Sequence, residues 1–217
     1  MTTTPHRDPP REPGVIVLLD VLGTTVDFHP ERRLAALAAR TGRDPTYLQH
    51  AIWESGFDAR CDLGALQPAE MYAQLTALIG MDIPPASLEA AWAAALGEAL
   101  ALPTIRALGE LHHVVFWSNN GPLMDAAIRR SQPGLLACGD AMVCSWQLGA
   151  RKESEQAQPR LRAHLAALGL PAEAQLVVVD DDVAVISAMR AFGYRTIRCP
   201  DGACLDAILQ AFFPVNP

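Results

Sequence analysis

The sequence predicts a doubly wound α/β protein: a mostly parallel five-stranded sheet with a helical domain inserted after its first strand. Three observations carry this. Five short runs are rich in apolar and β-branched residues, GVIVLLD (14–20), HVVFWS (113–118), AMVCS (141–145), QLVVVD (175–180) and RTIRC (195–199), and the first four are almost continuously apolar. Strands that do not alternate are buried on both faces, as in a parallel sheet. Segments of helical composition, LMDAAIRRS, QPRLRAHLAALGL and VAVISAMRAFG, separate the later four runs, giving the β-α alternation of a doubly wound domain. Between the first run and the second, residues 29–103 hold no strand-like run.

Residues 1–13, MTTTPHRDPPREP, are polar and proline-rich. They lack the apolar stretch of a signal peptide and read as a flexible tail. The first strand then runs from Gly14 into Asp20. The insert begins at 29, and its helix ends are readable. Asp44-Pro45 is an N-cap followed by proline at the first helical position, Pro68 opens another helix, and Gly42 and Gly80 suit C-termini. The alanine-rich PPASLEAAWAAALGEALA reads as one long last helix. The expected organisation is therefore a tail (1–13), an α/β core (14–28 and 104–217) and a helical insert (29–103).

At 217 residues, 50% hydrophobic and 19% charged, the chain can bury a substantial core. A net charge of -7 argues against nucleic-acid and anionic-membrane partners and leaves small molecules as the expected ligands. The five cysteines are scattered, with no CxxC spacing. That suggests neither a disulfide framework nor a zinc site, and reduced thiols fit a cytoplasmic protein. No apolar run reaches the ~18 residues that span a bilayer.

Polar residues end three of the five strands: Asp20 the first, Ser118-Asn119-Asn120 the second, Asp180-Asp181-Asp182 the fourth. In an open parallel sheet, groups at the carboxyl ends of strands converge on one crevice. Lys152 follows the third strand in CSWQLGARKESE and can reach the same place. Several carboxylates gathered there repel one another and raise one another's pKa unless a lysine and a metal ion compensate. Each piece has a plainer reading. A strand-end aspartate can be a turn residue, the acidic triplet can cap the next helix, and a lone lysine can be solvated. The order and position of the set make the stronger signal.

In that order the sequence resembles the haloacid dehalogenase-like hydrolase superfamily over nearly all of the chain from residue 14 onward. The resemblance implies a Rossmann-like core with a helical cap. It places Asp20 on the nucleophile, Ser118 on the phosphate-binding hydroxyl with Asn119 beside it, Lys152 on the charge-neutralising lysine, and Asp180-Asp181 on the acidic metal pair. It also implies Mg²⁺, held by Asp20, the backbone carbonyl of Leu22 and the Asp180-Asp181 pair. The expected activity is hydrolysis of a small phosphorylated metabolite through an aspartyl-phosphate.

Three residues or stretches depart from the pattern. Val185 replaces an asparagine common after the acidic pair, and RKESEQAQ lacks the prolines that often follow the lysine. Leu22 stands where the phosphatases carry an aspartate that protonates the leaving group and then activates water. Leucine transfers no proton, and a general acid–base is worth ~10²–10⁴-fold. Activity is therefore expected to favour good leaving groups. The alternatives are a phosphate-binding or regulatory relative without turnover, and a metal-free carbon–halogen hydrolase, whose family members replace the acidic pair with serines. Asp27 is a candidate substitute acid or a cap residue, His112-His113 read as structural, and Trp53, Arg60 and Tyr72 are candidate substrate contacts from the insert.

Overall fold

The protein is described here by a computed structural model covering residues 14–171 and 173–214; the proline-rich segment 1–13 lies outside them. β1 (Val15–Leu19) is followed by β2 (Val26–Phe28) and then by the helices of the insert: α1 (Pro30–Thr41), α2 (Pro45–Gln49), a π-helical turn at His50–Glu54, α3 (Phe57–Asp62), α4 (Pro68–Ile79) and α5 (Pro85–Ala93). β3 (Leu96–Ala99) and α6 (Leu102–Leu111) lead back to β4 (His113–Ser118), α7 (Pro122–Ser131) and α8 (Pro133–Leu136). The remainder runs β5 (Ala141–Cys144), α9 (Ser145–Leu148), α10 (Ala157–Ala167), β6 (Gln175–Asp180), α11 (Val183–Ala191), β7 (Arg195–Arg198) and α12 (Leu205–Phe212).

All five expected strands form one sheet in the order β5-β4-β1-β6-β7, every pair parallel. Alternate residues of β1 enter different cores. Val17 and Leu19 join one shared with the insert, and Ile16 and Leu18 join one beneath α10 and α11. Burial on both faces is why no polar alternation marks β1, β4, β5 and β6, whereas the edge strand β7 exposes Arg195 and Arg198. β1 is central, and the chain leaves it first toward β4 and β5 and later toward β6 and β7. Their carboxyl ends therefore meet around Asp20, at the point where strand order reverses.

The insert differs from its expected all-helical form. β2 and β3 pair antiparallel, Val26 with Ala99 and Phe28 with Leu96, so both connections to the core run side by side. The alanine-rich stretch stops being helical at Ala93 and turns into β3. Gly97 explains part of this, because a Cβ there would lie 2.9 Å from the Asp27 side chain across the ladder. Helix propensity favoured the longer helix, but pairing with β2 prevails. The expected helix ends do occur: the Asp44 carboxylate accepts from the amides of Thr46 and Tyr47, and Gly42 and Gly80 end helices at positive φ. Leu37, Ile52, Phe57, Leu75 and Trp92 of the insert belong to the same buried cluster as one sheet face. Among the described residues no helix is long and apolar enough to cross a membrane.

Candidate active site

β1 delivers Asp20 to the floor of the crevice, where its amide still bonds Val179 O across the sheet (2.9 Å). The chain must then turn sharply. Gly23 takes φ +86°, and a Cβ there would lie 2.9 Å from Asp181 Oδ2. Glycine thus permits both the turn and the approach of the second acidic residue. Thr25 fixes the turn by donating to Asp20 O (2.9 Å).

Lys152 supplies the cation. Its Nζ, almost fully buried, donates to Asp20 Oδ1 (2.5 Å) and Asp180 Oδ2 (2.7 Å) and lies 5.8 Å from the Trp117 ring centroid. Burial pulls the lysine pKa down, but Asp20 and Asp180 more than offset it, and the ammonium stays charged. The loop that carries the lysine is held by Asn119, whose Oδ1 accepts from Lys152 N (2.9 Å) and whose Nδ2 donates to Glu153 (2.9 Å). The Asn119 side chain therefore positions the lysine as well as lining the crevice. Asp180 Oδ1 accepts the Asp182 amide (2.9 Å), and Asp182 itself caps α11. Ser118 is buried at the end of β4, with Oγ accepting from Asn120 Nδ2 (2.5 Å).

Asp20, Asp180 and Asp181 each offer a carboxylate oxygen within 4.8 Å of the others. Three carboxylates against one ammonium leave a net charge of two negatives on this group when all are ionised. Burial foremost, then the neighbouring carboxylates, outweigh Lys152 and raise the Asp20 pKa; burial and Asp180 raise that of Asp181. An all-oxygen donor set with this surplus of negative charge fits a divalent hard cation such as Mg²⁺.

The other sequence candidates fall elsewhere. Asp27 lies on β2, bonded to His29 Nε2 (2.7 Å), and does not line the crevice. His113 starts β4 beside Asp140 at the opposite end of the sheet, and His112 packs edge-on against Phe213. Arg60 is exposed and bonds Gln74, while Tyr72 bonds Glu89. Trp53 stacks on Trp92 behind a second cavity, with Arg33 over its ring. That cavity, about 200 Å³, is lined by Arg33, Asp58, Asp62 and Trp92. Reading the sequence missed these three charged residues. The only available signal was the spacing of Asp58 and Asp62, one helical turn apart, and that spacing equally describes a solvated helix face.

No protein-family model and no curated protein sequence matches the chain. Solved structures do. A predicted HAD-like family hydrolase from Porphyromonas gingivalis superposes with a TM-score of 0.72 at 21% identity, over 93% of this chain and 99% of that one. A HAD-family enzyme from Bacteroides thetaiotaomicron, solved in complex with magnesium and inorganic phosphate, gives 0.68 at 16% identity over 87% and 96%. An L-2-haloacid dehalogenase from Xanthobacter autotrophicus, with chloropropionic acid covalently bound, gives 0.53 at 16% identity over 93% and 84%. At such identities the likeness is one of fold: the chain has the α/β fold of the HAD-family enzymes.

Proposed function

We propose that the protein is a Mg²⁺-dependent hydrolase of phosphatase type, acting on a small phosphorylated metabolite in the cytoplasm. The observation that carries this reading is the arrangement of Lys152 between Asp20 and Asp180, with Asp181 in reach of both. An Asp20 oxygen attacks phosphorus, the bond to the leaving oxygen breaks, and an aspartyl-phosphate forms. Water then cleaves it to inorganic phosphate and the free carboxylate. Ser118 and the amides at the start of α7 bind the transferring oxygens, and Lys152 holds the nucleophile and neutralises the phosphate. The Asp20 carboxylate, the Leu22 carbonyl and the Asp180-Asp181 pair would hold the magnesium, which offsets charge between nucleophile and phosphate. The insert acts as a cap over the crevice.

The HAD-family fold also carries dehalogenases, such as the Xanthobacter autotrophicus neighbour. Attack on carbon bearing a halide gathers less negative charge than attack on a phosphate, and it gives Asp180 and Asp181 nothing to do. A second reading, phosphate binding without turnover, is favoured by Leu22, which offers no proton at the position facing the crevice. Assay of a panel of phosphate esters and acyl phosphates, with and without Mg²⁺ and beside Asp20→Asn, separates these readings. The proposal expects Mg²⁺-dependent phosphate release that Asp20→Asn abolishes. No release from any substrate favours the binding protein, and metal-independent halide release from 2-haloacids favours the dehalogenase.

A further inference from the structure

Leu22, Asn119 and Asn120 form a wall common to two cavities. On one side is the crevice over Asp20 and Lys152, about 320 Å³. On the other is the cavity of about 200 Å³ that reaches into the insert between Arg33, Asp58, Asp62 and Trp92. The two cavities therefore adjoin at these residues, and a leaving group on a phosphate seated at Asp20 would enter the second one past Leu22. Four contacts place Asp62 at this junction. A Cβ on Gly121 would lie 2.8 Å from Cys61 Cβ, so α3 closes directly onto the loop that follows Ser118. Ser145 Oγ ties the two together by donating to Asp62 O (2.7 Å) and Asn120 O (3.4 Å). The Asp62 carboxylate accepts the Gly121 amide. It also accepts from Nη1 of Arg151 (3.3 Å), the residue before Lys152, which itself lines the crevice.

We propose that Asp62 is the general acid and base for this chain's leaving group, in the role that Leu22 cannot fill, and that the cavity it lines accepts a small hydroxylated alcohol. The proposal rests on the phosphatase reading above. The size follows from volume: at ~30 Å³ per water-sized group, the cavity takes roughly six or seven non-hydrogen atoms. Its polar lining suits hydroxyl groups, which donate to Asp58 and Asp62 and accept from Arg33. Arg33 Nε is buried without a hydrogen-bond partner while the guanidinium lies over Trp53 and Trp92 (4.4 and 5.2 Å), so it has a donor to offer a ligand.

The groups facing Asp62 are Asp58 on its own helix, Arg33 from α1, Arg151 from the lysine loop and the Gly121 amide; the neighbouring Cys61 thiol, pushed up to about 12, is neutral. Burial first, then Asp58, raise the Asp62 carboxyl to about 7 against the opposing pull of Arg151, Arg33 and the amide. Near neutral pH both protonation states are therefore populated, as a group that must first give and then take a proton requires. The protonated carboxyl gives its proton to the departing oxygen as the P–O bond breaks, releasing an alcohol. The carboxylate so formed takes a proton from the water that attacks the aspartyl-phosphate. Asp62 is again protonated when inorganic phosphate leaves.

The test compares wild type, Asp62→Asn and Asp20→Asn at saturating Mg²⁺ on acetyl phosphate, whose leaving group needs no proton, and on glycerol 3-phosphate, whose leaving group does. The expected result is a fall of ~10²-fold in kcat/KM for Asp62→Asn on the alkyl ester, with loss of the pH dependence near 7. On acetyl phosphate kcat/KM, which reports formation of the aspartyl-phosphate, should change by no more than about threefold, while kcat falls because hydrolysis of the intermediate loses its base. Equal losses on both substrates, or no loss on either, would overturn the role of Asp62 while leaving the phosphatase reading intact. Acetyl phosphate turnover that Asp20→Asn leaves unchanged, or its absence in wild type, overturns that reading and this proposal with it. If Asp62→Asn does not fold, Asp62→Glu keeps a carboxyl at a shifted distance, and the same split between substrates decides.

Discussion

Two charged clusters lie on either side of Leu22, one buried and one half-buried, and they are built on different terms. In the crevice, Lys152 is held by two carboxylates at hydrogen-bond distance, and Asp180 spends its other oxygen on a backbone amide. In the insert, Arg33 faces Asp58 and Asp62 mainly through space, rests on two tryptophan rings and leaves Nε unpartnered. Pairs made by direct hydrogen bonds in a closed site fix geometry. A looser cluster with donors to spare has capacity left for a ligand. The contrast suggests that the crevice sets the reaction and the insert sets what the reaction is performed on.

Breaking the tight cluster should have the largest effect. Lys152→Met leaves Asp20 and Asp180 buried without their cation, and urea unfolding is expected to show a loss of ~3–5 kcal/mol in the metal-free protein, part of it restored by Mg²⁺. A loss below ~1 kcal/mol would mean that the two carboxylates find other compensation. Asp181→Asn removes one oxygen of the proposed metal site but no strong hydrogen bond, and calorimetry should show Mg²⁺ binding weakened about tenfold, or ~1.4 kcal/mol. Equal affinities would remove the case for a metal beside Asp20.

Leu22→Asp probes the wall between the clusters. With Mg²⁺ in excess to counter the added repulsion, it should raise kcat on alkyl phosphates by ~10-fold in Asp62→Asn and by less in wild type. A gain of the same size in both backgrounds would show that Asp62 supplies no proton.

The smallest effect belongs to the loose cluster. Arg33→Met should cost only ~1 kcal/mol, mostly its contact with the tryptophan rings. Its clearer signature is in pH. The Asp62 pKa, about 7 in the folded protein, lies above its unfolded value of 3.8. Its contribution to stability is thus present below about pH 4 and is lost as pH rises through about 7. Arg33 lowers that folded value, so Arg33→Met should move the loss to higher pH in thermal unfolding between pH 5 and 9. An unmoved profile would show that Arg33 and Asp62 are not coupled.

The same contrast explains what was legible in the sequence. Asp20, Ser118 and Asp180 could be located because a buried parallel strand has no structural use for a polar last residue, so each stands out against its own apolar run. Lys152 followed from its order after the third strand. Leu22 was visible as a departure, but its place between two cavities was not, because that depends on where the insert docks. Arg33, Asp58 and Asp62 sit on amphipathic helices whose polar faces read the same whether they meet water or one another. Asp27, a candidate acid from sequence, pairs with His29 instead. β3 was hidden because its strand character comes from pairing with β2 rather than from its alanine-rich composition.

Acid-quenched labelling with ³²P-acetyl phosphate reads out whether Asp20 becomes covalently phosphorylated, as the proposed function requires. With Mg²⁺ present, a labile phosphate is expected on the peptide carrying Asp20, absent from Asp20→Asn and from protein stripped of metal. Turnover of acetyl phosphate with no label at Asp20, or with label at another residue, would contradict the account.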